Sequence, residues 1–302
     1  MVQIGVFIGE FPQHPESRLE NVTEAARLAS EEGADLLFLP GHSFQNNWKE
    51  GPAQLWPARL ADEFGLPILA ETHFSNEAEK EAGMQISKAS TKNLKKSVVK
   101  QYSKKSASVK IQEKGQIKKS TKGDEKKNAD GNYQPRLPWI TNLYRPGGLI
   151  EGGWRQWFAT SVEAEVEGIA RQLVNDFRTG HRIFEIGGKR IGLIYCGENN
   201  ILKNSQSDAN IPRLRHPQLG WNDDYDLLLN PAHTVMGNLG KIHRRFEWFS
   251  SGGRTLIFTG NNDKKNAWTS AFYAFRDGKK IMSGAHPNLL RKSSWRLALV
   301  QA

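Results

Sequence analysis

The chain has 302 residues, a formal net charge of +10 and 38% hydrophobic residues, enough for one large core or two smaller ones. No stretch approaches the roughly 20 apolar residues that a membrane span needs, and a single cysteine, Cys196, excludes an intramolecular disulfide. We therefore expect a single domain over residues 1–302 of a cytoplasmic protein with no membrane contact.

The positive charge is concentrated in one segment. Residues 80–127 hold 15 lysines and 4 acidic residues, whereas the rest of the chain has 27 basic and 28 acidic residues. The surrounding stretch, 76–137, is rich in Lys and Ser and has no sustained helix or strand periodicity, which predicts a mobile, disordered insert. Dense lysines also suit electrostatic contact with a polyanion such as nucleic acid, so 80–127 is either a solvated loop or a polyanion contact.

Before the insert, strands and helices alternate along the chain. Apolar runs predict strands over 2–8, 35–40 and 66–71. Helical spacing predicts helices over 20–32 and 56–64, and each of them is followed by a glycine that ends it. This order predicts an α/β fold with a largely buried sheet.

After the insert the alternation resumes. We expect a hairpin over 139–144 and 149–150, a helix over 161–177, and two strands over 182–186 and 189–195. A strand over 225–229, a helix over 239–250, a strand over 254–259 and a last hairpin over 270–275 and 280–282 follow.

Cys196 stands at the carboxyl end of one of these strands. The apolar run 190–195 stops there, and Gly197 and Glu198 begin a polar turn. The carboxyl end of a strand is where α/β folds present reactive groups, so Cys196 is a candidate nucleophile. The alternative is a buried, unreactive cysteine, because reactivity needs an electropositive and partly exposed surrounding.

Five segments share their order and spacing with one known family: 20–40, 148–156, 177–196, 226–232 and 261–270. They resemble the nitrilase superfamily of carbon–nitrogen hydrolases, and the resemblance runs through nearly the whole chain outside the insert. It implies a four-layer α-β-β-α sandwich, usually a homodimer. It also implies a Glu-Lys-Cys catalytic set, in which Cys attacks an amide or nitrile carbon, Glu transfers protons and Lys stabilises the negative charge.

Only one member of that set matches the sequence. Cys196 occupies the nucleophile position, but Gly41 replaces the Glu that follows the proline of the second strand, and Gln156 replaces the Lys. Losing two cooperating groups removes proton transfer and most charge stabilisation. The resemblance therefore implies a pseudoenzyme that binds a small amide or carboxylate ligand or a protein partner. Restoring Glu at position 41 and Lys at position 156 together should then raise amidase activity.

Substitute residues keep an enzymatic alternative open, namely a thiol amidohydrolase that acts on a non-peptide C–N bond. His42, Glu163 and Glu198 are possible replacement bases, because they lie near the missing acid, at the start of a helix and next to the cysteine. Asn199 and His233 follow strand ends near the expected cleft and are candidate ligand-binding residues. The eight histidines show no metal-ligand spacing, so we expect neither a metal nor a cofactor.

Overall fold

The computed structural model describes residues 1–10, 15–44, 55–73, 139–204, 211–233, 239–262 and 267–302. The predicted mobile insert, 76–137, lies entirely outside the described residues. The predicted polyanion contact through 80–127 lies entirely outside them. Both therefore stay predictions.

The first sheet has seven strands in the order β14-β15-β1-β2-β3-β4-β5. Their bounds are Gln3–Gly9 (β1), Leu36–Phe38 (β2), Ile68–His73 (β3), Trp139–Arg145 (β4), Leu149–Trp154 (β5), Leu290–Arg291 (β14) and Trp295–Gln301 (β15). Strands β1, β2 and β3 are parallel neighbours, and the others pair antiparallel.

The second sheet has six strands in the order β13-β12-β11-β10-β7-β6. Their bounds are Ile183–Ile186 (β6), Lys189–Leu193 (β7), Leu227–Ala232 (β10), Thr255–Gly260 (β11), Phe272–Arg276 (β12) and Lys279–Ser283 (β13). Strands β7, β10 and β11 are parallel neighbours. A separate two-stranded ribbon joins β8 (Leu202–Asn204) to β9 (Pro212–Leu214).

Most helices cover the outer faces of the two sheets, whereas α6 (Trp268–Ala271) packs against the cluster between them. Their bounds are Pro15–Glu31 (α1), Leu55–Phe64 (α2), Ser161–Ala164 (α3), Glu167–Arg178 (α4), Leu239–Ser250 (α5) and Trp268–Ala271 (α6). Two short 3-10 helices span Cys196–Ile201 and Pro217–Leu219. Among the described residues, no helix combines the length and the apolar character that crossing a membrane requires.

Three apolar clusters separate these layers. The central one fills the space between the sheets, where β1 contributes alternate residues such as Val6 and β7 contributes Leu193. A second cluster packs α1 and α2 on the first sheet, and a third packs α4 and α5 on the second. Alternation along a strand sends successive side chains to opposite faces, which is why one strand serves two clusters. The predicted α-β-β-α sandwich is confirmed.

Several details of the sequence prediction were wrong. Strands β8, β9 and β14 were not predicted, and residues 270–271, predicted as strand, end the helix Trp268–Ala271. Helix 161–177 is two helices, because Val166 adopts an extended conformation (φ −79°, ψ 104°) and begins α4 anew. Helix α1 begins at Pro15 rather than at residue 20, since proline fits the first helical turn. Strand β15 was not predicted, although it pairs with the full length of β1 and so anchors the carboxyl end of the chain in the first sheet.

Candidate functional site

The parallel strands of both sheets end at one place between the sheets. Gly41 and Ala232, which follow β2 and end β10, are joined by a hydrogen bond from the Gly41 N–H to the Ala232 carbonyl (3.0 Å). Cys196, just beyond β7, begins the 3-10 helix Cys196–Ile201. This junction is where ligands bind in open parallel sheets, and it brings together residues from four strands.

The Cys196 sulfur lies against the backbone of the neighbouring strand end. The backbone N–H groups of His233 and Gly197 favour its ionised form. Burial of the thiol raises its pKa to about 11, with a smaller contribution in the same direction from the negative charge of Glu71 and an opposing effect of the two N–H groups. The thiol is therefore protonated at neutral pH, so attack on a substrate requires a base that removes its proton.

A carboxylate that the sequence analysis missed lies at this junction. Glu71, in β3, is 3% exposed, and its Oε2 accepts hydrogen bonds from the His42 backbone N–H (2.7 Å) and from His233 Nε2 (2.9 Å). Burial alone would raise the pKa of Glu71, but the charge and hydrogen bond of His233, together with His42, outweigh burial and lower this pKa. Glu71 is therefore an ionised, buried carboxylate whose charge acts on the Cys196 thiol.

Because Gly41 has no side chain, it leaves the space that the Glu71 carboxylate and the His233 ring occupy. A β-carbon added at position 41 would overlap Cδ2 of His233 and would lie 3.1 Å from Glu71 Oε2. No side chain fits at position 41 unless His233 moves. The carboxylate thus comes from β3 into the space next to β2, where the resemblance implied a glutamate on position 41 itself.

Aromatic rings enclose the carboxylate on one side. The His42 ring stacks on His233, with centroids 3.6 Å apart, and on Trp139, with centroids 3.9 Å apart. His42 itself has a positive φ of 58°, an unusual conformation for a residue other than glycine. This conformation directs its backbone N–H to Glu71, so strain at His42 is compensated by a charge-assisted hydrogen bond.

A buried asparagine ties the two strand ends together. Asn261, fully buried after β11, donates from Nδ2 to the carbonyls of Gly41 (2.6 Å) and His233 (2.8 Å). Its Oδ1 accepts from Nη2 of the buried Arg18 (2.6 Å). All the polar positions of this amide are used, which fixes its orientation and the spacing of the Gly41 and His233 segments.

Gln156 packs against the turn that follows Cys196. A β-carbon at position 197 would overlap Gln156 Nε2, so only glycine fits there. The same nitrogen donates to the Phe158 carbonyl (2.8 Å). Position 156, where the resemblance implied a lysine, therefore supplies a neutral amide next to the Cys196 turn.

Glu198, a predicted substitute base, is committed elsewhere. Its carboxylate pairs with Arg182 through Nη1 (2.7 Å) and Nη2 (3.1 Å) and accepts the backbone N–H groups of Trp157 and Tyr195. Both charged side chains are at most 1% exposed. Although burial opposes ionisation of Arg182, Glu198 and Asp176 more than offset it and raise the arginine pKa. This ion pair therefore holds the 3-10 helix Cys196–Ile201 in place.

Glu163 and Asn199 also have structural partners. Glu163 accepts the backbone N–H groups of Ala159 and Thr160 and completes a capping box at the start of α3. Asn199 is fully buried, donates to the Cys196 carbonyl (2.9 Å) and accepts from Asn230 (3.1 Å). Its amide therefore stabilises the first turn of the 3-10 helix Cys196–Ile201.

His42, Glu71 and His233 also form a set of possible metal ligands. Each offers one ligand atom, and these atoms lie within 4.8 Å of one another. Two imidazoles and a carboxylate suit zinc or iron(II). The two imidazole planes are stacked at an angle of 18°, so their lone pairs run side by side instead of converging on one point. Metal binding would require one ring to rotate, whereas the present geometry is that of a hydrogen-bonded network.

Sequence reasoning missed Glu71 and Trp139 because it searched for a base next to the positions of the family motif. One signal was present: Glu71 closes an otherwise apolar strand prediction, 66–71. A charged residue in a buried strand needs a partner, and that partner, His233, is 162 residues away. The distance along the chain explains why no local pattern disclosed the pair.

The chain was compared with known proteins. No family model matches it, and no curated protein sequence matches it. Among solved structures, one similar protein is XC1258 from Xanthomonas campestris, described as a CN-hydrolase superfamily protein with an arsenic adduct in its active site. The two structures align with a TM-score of 0.53 and 11% identity, over 100% of this chain and 91% of that one.

Two structures of the amidase from Nesterenkonia sp. are also similar. One is a mutant that shows the Michael addition of acrylamide at the active-site cysteine (TM-score 0.52, 10% identity, 98% of this chain and 92% of that one). The other is the amidase itself (TM-score 0.51, 10% identity, 99% and 90%). At such low identity the likeness concerns the fold alone, and this chain has the fold of the carbon–nitrogen hydrolase, or nitrilase, superfamily.

Proposed function

We propose that the protein is a cysteine-dependent amidohydrolase in which Glu71 replaces the missing glutamate of position 41. The observation that carries the proposal is the position of the Glu71 carboxylate, 3.1 Å from the point where a side chain at position 41 would begin. The charge of Glu71 acts on the Cys196 thiol, and His233 contacts both residues. A base and a nucleophile that share a neighbour are the minimum that acyl transfer needs.

The proposed reaction has two halves. In the first, the thiol proton passes to the Glu71–His233 pair while the sulfur of Cys196 bonds to the amide carbon. The same pair then returns the proton to nitrogen, the C–N bond breaks, and an amine or ammonia leaves. In the second half, water loses a proton to the pair and attacks the thioester, which releases a carboxylic acid and restores the thiol.

Neutral donors take the place of the family's lysine in this proposal. Gln156 Nε2 makes one hydrogen bond with a described residue, to Phe158, and an amide nitrogen carries two N–H groups. The second N–H and the Gly197 backbone N–H are the donors that we assign to the substrate oxygen. Removing one such donor typically costs about 100- to 1000-fold in rate, so neutral donors are a substantial contribution even without the lysine.

The test is ammonia release from a panel of small aliphatic and aromatic amides. The wild-type protein should release ammonia from at least one of them, and Cys196→Ala and Glu71→Gln should each lose this activity. Glu151→Gln is the matched control, because Glu151 is a half-exposed carboxylate of the same sheet in a surface ion pair with Arg145. Ammonia release that survives in Cys196→Ala would contradict the proposal.

A second candidate is a pseudoenzyme that binds a small amide or carboxylate ligand in the same cleft. Two observations favour it: the raised pKa of the Cys196 thiol and the neutral Gln156. Calorimetry with the same amides and their acids distinguishes the two. Saturable binding without ammonia release or thioester formation supports the pseudoenzyme, whereas turnover supports the amidohydrolase.

Three expectations from the sequence stand as proposals beside these. We propose a cytoplasmic homodimer, which light scattering and cell fractionation would test. We also propose that the lysines of 80–127 contact polyanions. Binding to heparin or RNA should then fall with rising salt and be lost when these residues are deleted.

A further inference from the structure

A polar cavity lies beside the end of the 3-10 helix Cys196–Ile201. It has a volume of about 460 Å³ and is bounded by α5, the start of α3, the end of the 3-10 helix Cys196–Ile201 and the β8–β9 ribbon. Asn200 lines it, four positions after the nucleophile. None of Cys196, Glu71 and His233 lines this cavity, so it is separate from the proposed catalytic junction.

Cations dominate the lining. Lys203, Arg215, Lys241 and Arg245 contribute four positive charges, and Glu165 is the one acidic residue among the described lining residues. Glu165 pairs with Arg215 Nη1. The side chain of Glu165 is 63% exposed, whereas that of Arg215 is 8% exposed. Water therefore screens the carboxylate far more than the guanidinium, and the cavity is strongly positive.

Asn200 holds the two arginines in place. Its backbone carbonyl accepts from Arg215 Nε (2.9 Å), and its Oδ1 accepts from Arg245 Nη1 (2.8 Å). Arg245 Nε donates to Asn204 Oδ1 (3.0 Å). Both guanidinium groups are thus oriented by neutral acceptors before any ligand binds, and such preorganisation lowers the entropic cost of binding.

Arg245 lacks a carboxylate partner among the described residues. Burial and the neighbouring charge of Arg215 lower the pKa of Arg245 to about 10. Two like charges held side by side in a partly buried cavity destabilise each other, and an anion between them removes that repulsion. The folded protein therefore gains from an anionic ligand at this position.

We propose that this cavity binds a small phosphorylated ligand, with Arg215 and Arg245 on the phosphoryl oxygens and Lys203 and Lys241 at its rim. Planar guanidinium groups match phosphoryl oxygens in pairs. Three cations, Lys203, Arg215 and Arg245, face one screened carboxylate. This excess of positive charge fits a group with more than one negative charge better than a single carboxylate. The volume lies in the range of small-molecule sites.

Calorimetric titration with inorganic pyrophosphate at low salt tests the proposal on the full chain. The wild-type protein should show saturable binding, and Arg245→Gln should weaken it about tenfold or more, the usual effect of losing one charge-assisted hydrogen bond. Arg244→Gln is the matched control. It removes the same charge from the next position of α5, where Arg244 is exposed and paired with Glu247, and should leave the affinity unchanged.

Three further variants make the test independent of any misfolding of Arg245→Gln. Lys203 is exposed, so Lys203→Gln should fold normally and still weaken pyrophosphate binding. Glu165→Gln removes the one acid of the lining and should tighten it. Cys196→Ala should bind as the wild type does, which separates this site from the proposed hydrolase. Absence of saturable binding, equal losses in Arg244→Gln and Arg245→Gln, or citrate binding as tightly as pyrophosphate would each overturn the proposal.

Discussion

Replacing Glu71 by Gln should change two reactions of Cys196 in opposite directions. The substitution keeps the size of the side chain and removes its negative charge. That charge raises the pKa of the thiol, so its removal should lower this pKa and increase the thiolate fraction. The same substitution removes the proposed base, so acyl transfer to Cys196 should slow.

The size of the first effect follows from the thiol pKa of about 11. At pH 8 a thiol with that pKa is about one part in a thousand thiolate, and each unit by which its pKa falls increases the thiolate about tenfold. Loss of one neighbouring charge typically moves a pKa by about one unit or more. Alkylation of Glu71→Gln by iodoacetamide at pH 8 should therefore be about tenfold faster than that of the wild type.

The assay follows alkylation of Cys196 by mass spectrometry between about pH 7 and 10, with the same reaction in Glu151→Gln as the control. In the wild type the rate should rise tenfold per pH unit over this range, because the thiol titrates above it. In Glu71→Gln the whole profile should shift to lower pH. An unshifted profile, or slower alkylation of Glu71→Gln, would refute the placement of an ionised carboxylate beside the thiol.

The other substitutions test what holds the junction together. Gly41→Ala should lower the free energy of unfolding by about 1–3 kcal/mol, since its methyl group overlaps the His233 ring. Gly240→Ala is the control, because position 240 has open space around it and the substitution should cost nothing. Equal effects of the two substitutions in thermal unfolding would argue against the overlap. Asn261→Leu leaves the Gly41 and His233 carbonyls without this donor and should lower the free energy of unfolding by about 1–3 kcal/mol. Slower acyl transfer to Cys196 is the second readout. Unchanged stability would contradict the role of Asn261 in linking the two segments. Glu198→Gln should cost about 3–5 kcal/mol, because it breaks a fully buried ion pair and leaves Arg182 with the partly exposed Asp176 as its remaining charge partner among the described residues. Glu151→Gln should cost about 1 kcal/mol or less.

The sandwich could be predicted from the sequence because its strands are short apolar runs that end at Gly or polar turns. The place of Cys196 at a strand end could be predicted for the same reason, because Cys196 ends such a run. The second strand ends at Phe38, two residues before the predicted end at Pro40, and Gly41 and His42 follow it at the junction. These features depend on residues that are near each other in the chain.

The chemistry around the thiol could not be predicted in this way. Glu71 and His233 meet only because β3 and β10 belong to different sheets whose strand ends converge. The resemblance directed attention to position 41, where a glutamate would not fit beside His233. For the same reason, restoring Glu at 41 and Lys at 156 should not raise activity in the presence of this histidine.

The most direct test of the account is the rate of acyl transfer from p-nitrophenyl acetate to Cys196 in wild-type protein and in Glu71→Gln. Nitrophenolate release reports the rate, and peptide mapping of the acetyl group, with Cys196→Ala as the blank, identifies the residue. The account predicts acetylation of Cys196 in the wild type at neutral pH and a rate about 100- to 10,000-fold lower in Glu71→Gln, the usual contribution of a general base. Equal rates in the two proteins would show that Glu71 has not taken over the role of the missing glutamate.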